Sequence, residues 1–432
     1  MEILIYSSNY SNRLQYICGF IFKKILELEF SITTDIDRFN NFKGVKINYS
    51  EAGFCGDAFH ICPATILFEK GIIPQNITCF TLKNNKAFFE MKSGDIDFDI
   101  FAASFYLLSR YEEYLPHTKD MYGRFAHENS LAFKEGFLQI PLINIWLQNF
   151  SEAIKIKFPT FKGQQANFKF IPTYDIDIAF AYKHKGWVRN IGGFLKMPSI
   201  QRIKVLLGTK KDPFDVFEKL MDLHQKFNLQ PIYFFLLAGK NSKYDKNISP
   251  RNKSMWQLIK KLSEKNTLGI HPSWQSGDVE TLVKKEKELL QSISKKVINI
   301  SRQHYIRFNM PQTFQRLLAA GITEDYSMGY GSINGFRASV ATSFYWYDLE
   351  KDEQTTLKMH PFCFMDANSF YEQKQFPEEA FNELMKFYKA CKTVNGNLIT
   401  IWHNTILGTD KHFNGWGNMY ENFLKNIAAQ SN

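Results

Sequence analysis

The segment FKFIPTYDIDIAF (residues 168–180) is an apolar run that carries two carboxylates, Asp175 and Asp177, one residue apart. An unpaired buried carboxylate is costly, and two neighbouring ones also repel each other. The segment therefore demands a cation, a proton, a metal ion or exposure at a strand end. Residues i and i+2 of a strand point to the same side, which lets Asp175 and Asp177 face one point. Other apolar runs also end in ionisable residues: His271, Arg302 with His304, Asp325, His360 and His403. Carboxylate and imidazole are ordinary ligands for zinc or a related divalent ion. A carboxylate left free beside such an ion can take a proton from its water, and a free imidazole can protonate a leaving group. In this scheme Arg302 orients the base and Asp325 orients a catalytic histidine.

These residues need elements to position them. Beyond about residue 165, runs such as QPIYFFLLAG, TLGIHPSW, TLKMHPFCFMD and NLITIWHN read as strands. Between them, DPFDVFEKLMDLHQKFN, VETLVKKEKELLQSIS and PEEAFNELMKFYKACKTV have helical spacing. Strands alternating with helices predict a parallel sheet with crossover helices, open or closed into a barrel. In such folds ligands and chemistry lie at the carboxyl ends of the strands. The ionisable strand ends are therefore expected to form one site. KFPTFKGQQANF combines Pro, Gly and polar residues and is the best candidate linker, dividing the chain into 1–165 and 166–432. In the first part MEILIYSS reads as a strand, SNRLQYICGFIFKKILELEF as a helix and DIDFDIFAASFYLLSRYEEYL as an amphipathic helix. Arg110, Glu112 and Glu113, at the end of that helix, read as an ion-pair network or a domain contact.

TYDID, GIHPSWQ, SRQHY, EDY and LITIWHN occur in the order of the five motifs of the NodB-homology polysaccharide deacetylases, carbohydrate esterase family 4. The resemblance covers roughly residues 166–432. It implies an α/β fold, a distorted (β/α) barrel of the NodB-homology type, preceded here by a smaller α/β domain. Residues 1–165 resemble a domain found ahead of NodB-like domains in uncharacterised bacterial proteins and imply no known activity. Carried over, Asp175 resembles the general base, Arg302 the arginine that pairs with it, Asp325 the acidic residue of the fourth motif and His403 the general acid. The family's metal-binding aspartate follows the base directly, where this chain has Ile176, so Asp177 is the candidate for that role. His271 matches the first metal-binding histidine, but the second falls at Gln275. His304 is the candidate that restores the third ligand, with His360 as the fallback.

The resemblance implies a metal-dependent hydrolase, with zinc the expected ion, that removes an N-acetyl (or an O-acetyl) group from a sugar or glycan. The departures at Ile176 and Gln275 leave two alternatives: a glycan-binding or scaffolding protein without activity, or a hydrolase of another carbon–nitrogen amide. Tyr174, Trp274, Tyr305, Tyr326, Tyr330 and Trp402 are placed to stack on a sugar ring or to pack the barrel rim, and Arg337 follows a glycine-rich turn as a candidate anion ligand.

Composition bounds the class. The 432 residues are 44% hydrophobic and 16% aromatic, which supports packed cores. No apolar run approaches the length of a membrane span, and the N-terminus reads as a strand and helix rather than a signal peptide. Six cysteines without a CxxC pair suit reduced thiols and a cytoplasmic location. Cys55, His60 and Cys62 are close in sequence but fit no common zinc-finger spacing. The net charge of +10 favours anionic partners. It is uneven: residues 178–211 contain eight Lys or Arg and no acid. That stretch reads either as a solvated face or as a platform for a phosphate-bearing or lipid-linked glycan or a membrane surface. Nucleic acid is not expected, because no recognition motif accompanies the charge.

Overall fold

A computed structural model of the chain describes residues 2–53, 56–163, 166–196 and 198–430. Alternating Ile and Leu in the first residues form strand β1 (Glu2–Ser7), flanked by β2 (Glu29–Thr33) and β3 (Val45–Tyr49), with β4 (Phe59–Ile61) outside β3. All three pairings are parallel. A short antiparallel hairpin follows, β5 (Phe80–Leu82) with β6 (Asn85–Ala87). The helix Ile100–Leu108 differs from its expected amphipathic character: all nine of its residues are buried. A helix apolar all round belongs in a core. Its polar end is satisfied by Asp99, whose carboxylate accepts from the amides of Phe101 and Ala102 and from the Tyr49 hydroxyl.

The remaining strands are β7 (Lys169–Ile176), β8 (Ile232–Leu236), β9 (Thr267–His271), β10 (Ile300–Ser301), β11 (Glu324–Asp325), β12 (Phe344–Asp348), β13 (Glu353–Met359), β14 (Phe364–Met365) and β15 (Asn397–His403). They form one nine-stranded sheet, ordered β12-β13-β11-β10-β9-β8-β7-β15-β14. Only β12 runs antiparallel to its neighbour. The expected barrel is therefore open: among the described residues no ladder joins β12 to β14, and both are edges. The register aligns the carboxyl ends, with His403 opposite Asp175 and Leu236 opposite His271. Gly269 permits this packing, because a Cβ there would stand 2.5 Å from the Phe234 ring and 3.1 Å from the Ile300 carbonyl.

The proposed boundary near 165 falls between the two large sheets; Gln164 and Gln165, like Cys55, lie outside the described residues. Most of the buried apolar residues nonetheless form one cluster reaching from Ile3 to Ile427, with Leu4, Phe39 and Ala58 in a small second one. Polar contacts cross as well. Arg13 meets Asp352 at 2.8 Å, and the Tyr16 hydroxyl donates to the Tyr345 carbonyl at 2.6 Å. The strongest crossing involves Glu113, which accepts from Arg110 at 2.7 Å and from Arg337 at 2.6 and 2.8 Å, all three buried. Burial alone would raise the Glu113 carboxyl, but the two guanidiniums outweigh it and hold it at about 2. Arg337 is thus consumed by a buried ion pair, and also packs over Phe308 at 4.0 Å, so it is not free to bind a substrate anion. Removing one partner of such a buried network leaves the others uncompensated. Glu113→Ala is expected to destabilise the protein by about 3–5 kcal/mol, read from the midpoint of denaturant unfolding.

Candidate active site

Strand β7 delivers Asp175 buried and Asp177 just past its end, at the rim. Arg302 donates to Asp175 Oδ1 at 2.9 Å. The arginine is itself fixed, donating from Nε to the Tyr326 carbonyl at 3.0 Å and lying 4.3 Å over the Phe234 ring. The other Asp175 oxygen stands 3.8 Å from His271 Nε2. Asp177 Oδ1 lies 3.2 Å from His271 Nε2, and Oδ2 lies 3.7 Å from His304 Nε2 and 3.5 Å from His403 Nε2.

What the imidazoles do with their other nitrogen decides what they offer the site. His271 Nδ1 faces the Arg302 carbonyl at 2.5 Å, which can only accept. His304 Nδ1 faces Asp245 Oδ1 at 3.0 Å. The Asp245 carboxyl would be raised by burial, but His304 and the Trp274 amide hold it low, so it too accepts. Both rings therefore carry the proton on Nδ1 and turn Nε2 inward. An outer-shell acceptor that fixes a ring in this way is the usual arrangement around a ligating histidine. Asp177, His271 and His304 each place one ligand atom within 4.8 Å of the others, and among the described residues this is the cluster able to hold an ion. Asp177 Oδ1 is buried without a hydrogen-bond partner. A divalent cation fits this donor set, and it would satisfy that orphaned oxygen.

Without an ion the charges balance differently. Burial would lower His304, but Asp177 and Asp245 on either side push it up to about 9. Burial would raise Asp177, but His304 and His271 hold it well below the ordinary carboxylate range. A proton on His304 thus occupies the place of the ion.

His403 is held separately. Asp366 takes its Nδ1 at 2.6 Å and its backbone amide at 2.7 Å. Burial would lower His403, yet Asp366, with Asp177 and Asp175, pushes it up to about 10. Its protonated Nε2 faces the cavity, which encloses about 510 Å³. Tyr122, Tyr244, Tyr305 and Tyr371 supply aromatic walls. The backbone bends sharply here: Tyr305 and Ile306 have φ of 59° and 54°, a region costly for a β-branched residue and concentrated at functional sites. Arg124 holds the bend by donating to the Tyr305 carbonyl at 2.7 Å.

Several expected site residues lie elsewhere. Asp325 does not orient His403; it is turned inward, accepting from the Ser301 hydroxyl and the Ser327 amide. His360 is no ligand, since its nitrogens bond Glu324 and Ser343 and its ring stacks on Tyr326 at 4.2 Å. That stack, along with the side chain of Tyr326, lines a different cavity. Trp274 is covered by Tyr244 at 3.8 Å and by the Arg307 guanidinium at 4.3 Å. Tyr174 and Trp402 are buried in the core, and Tyr330 is buried beside Arg110 and Arg337. Of the six aromatics singled out, Tyr305 lines the cavity. His60 bonds the Ser50 carbonyl at 2.8 Å.

Sequence reasoning missed six participants, among them the wall residues Tyr244 and Tyr371. Asp366 ends the run FCFMD and met the same strand-end criterion as the rest. Asp245 sits in a polar loop and Tyr122 and Arg124 come from the distant N-terminal third, and none of these carried a signal.

Residues 3–159 match a family of unknown function (DUF7033). No curated protein matches the chain. Among solved structures, a protein of Mycobacterium smegmatis assigned as a polysaccharide deacetylase is 13% identical over 61% of this chain and 85% of its own, with a TM-score of 0.40. Puue allantoinase is 8% identical over 62% and 85%, at 0.39. The polysaccharide deacetylase Bc1974 from Bacillus cereus is 10% identical over 61% and 89%, at 0.30. Likeness this low leaves any functional reading to the geometry of the site.

Because an ion must displace the His304 proton, apparent metal affinity is expected to rise about tenfold per pH unit across the range below about 9. Competition with a chelator at several pH values measures it, and a flat profile would contradict the assigned ligand.

Proposed function

We propose that the chain is a metal-dependent hydrolase that removes an acetyl group, N-acetyl in the main reading, from a sugar or glycan. The observation that carries this reading is the pair of inward-facing Nε2 atoms of His271 and His304 beside the orphaned Asp177 oxygen, with a buried carboxylate and a charged imidazole on either flank. A set of three protein ligands would leave room for water and substrate, as in catalytic zinc sites.

When bound, the ion supplies an acidified water and polarises the acyl oxygen. Asp175 accepts the proton of the attacking water as its oxygen bonds to the acyl carbon, while Arg302 keeps the receiving carboxylate in place. As the carbon–nitrogen bond breaks, His403 gives its Nε2 proton to the departing amine, and acetate and the free amine result. Asp366 serves this step twice over: its charge keeps His403 protonated, and its two bonds fix the ring's direction. The tyrosines at the wall present faces and hydroxyls suited to a sugar ring. Zinc suits the Asp–His–His donor set. A phosphate-bearing or lipid-linked biosynthetic intermediate handled in the cytoplasm fits the cationic surplus, and among the described residues no helix is long and apolar enough to cross a membrane.

Acetate release from a panel of N-acetylated glycans tests the reading. Asp175→Asn is expected to abolish release with metal retained, and His403→Ala to slow it by about 10²–10⁴-fold. His271→Ala and His304→Ala should lose the metal itself, measured by metal analysis of the purified variants. Full occupancy in both would sink the ligand assignment.

A further inference from the structure

The segment between Asp177 and Asp212 has no part in the chemistry above, yet among the described residues it carries the densest run of large exposed apolar side chains. It forms two helices, Trp187–Lys196 and Ile200–Leu206. No residue of the first is buried, and the second buries only Val205. Trp187, Leu195, Ile200 and Leu207 are each 73–76% exposed, and Val188, Ile191, Ile203 and Leu206 are exposed beside them. Elsewhere, large exposed apolar residues are scattered, which is ordinary for a soluble surface. Here the spacing gathers them: 187, 188, 191 and 195 share one helical face, as do 200, 203, 206 and 207.

The charges around these faces have one sign. Residues 178–211 contain no Asp or Glu. Arg189 and Arg202 are used within the fold, donating to the carbonyls of Lys246 and Asn247 and of Asn190. Lys211 pairs with Glu218 at 3.1 Å. Lys196, Lys204 and Lys210 have no ion-pair partner among the described residues.

We propose that these two helices are a docking surface for a bilayer bearing anionic headgroups. An apolar helical face flanked by lysines, without acids, is the pattern that lies in the plane of a membrane interface: the apolar side chains enter the headgroup boundary and the lysines meet the anionic lipid. A second copy of the chain suits it less well, because a symmetric contact sets the same cations against each other. The root of the segment is firmly held. Asp212 accepts from the amides of Ala181, Tyr182 and Lys183, and Asn247 bonds the carbonyls of Ile176 and Leu236. Ile178 and Lys246, at that root, line the candidate cavity. Docking therefore sets the cavity close to the lipid surface whatever reaction it performs.

Flotation of the full chain with vesicles of phosphatidylcholine alone, and with added phosphatidylglycerol, tests this. Binding is expected only to the anionic vesicles, weakening with salt, with a blue shift of Trp187 fluorescence. The double variant Trp187→Glu, Leu195→Glu should lose more than about tenfold in partitioning, with its metal content unchanged. Should that variant fail to fold, the triple variant Lys196→Gln, Lys204→Gln, Lys210→Gln carries the test through the salt-dependent component. No binding to anionic vesicles, or binding that survives the variants, overturns the proposal. So does self-association, or capture of an acidic polypeptide, that the variants abolish while vesicles remain unbound.

Discussion

Two like charges separated by one residue, Asp175 and Asp177, impose the requirement that the rest of the site meets. The strand brings both carboxylates to one rim, and each is balanced by a different means. Asp175 is buried and takes a permanent cation, Arg302, whose guanidinium cannot leave because a carbonyl and an aromatic face hold it. Asp177 receives no permanent cation. It meets the imidazoles of His271 and His304, and the charge it shares is the proton on His304 rather than a fixed guanidinium. The first carboxylate is thereby fixed, and the second is free to exchange a proton on its partner for an ion. The roles proposed for them, a base and a metal ligand, need that difference in environment, and one intervening isoleucine, turned into the core with no exposure, keeps the two on the same side.

Buried ionic groups elsewhere follow the same logic with another outcome. Glu113 is satisfied by two guanidiniums at once, and both are permanent cations. It joins the N-terminal third to the loop that carries Arg337, between β11 and β12. The consequence reaches the cavity: the N-terminal segment supplies Tyr122 to its wall and Arg124 to the strained bend at Tyr305. The energetic cost of the left-handed Tyr305 and Ile306 is met by packing from a part of the chain almost two hundred residues away in sequence, as the Arg124 bond across 181 residues shows.

The gathering of ionisable strand ends was legible because it depends on short-range pattern. The order of strands and helices beyond residue 165, and the meeting of Asp177 with His271 and His304, follow from alternation, apolar run length and the i, i+2 rule. The direction in which an individual side chain turns at a strand end does not. Asp325 and His360 stand at the ends of β11 and β13 as expected, yet one turns to Ser301 and the other to Glu324. Nothing in their neighbours' types specified this. Arg337 was legible as a cation but not as a spent one, since its partner Glu113 lies 224 positions away. Asp245 was invisible for the converse reason: a loop aspartate acquires meaning only when folding brings His304 against it.

The cationic helices after Asp177 bear on the same electrostatic problem from outside. The last residue of β7 passes within a few positions into a segment that has eight basic residues and no acid. Asp212 closes that segment by binding three backbone amides at its start, so the segment's charge stays near the rim on which Asp177 sits. A positive potential at the mouth of a cavity attracts anionic substrates and concentrates them there. It also favours the ionised form of any carboxylate within reach. Within the site, however, the ionisation of Asp177 is held by His304 and His271 rather than by this segment.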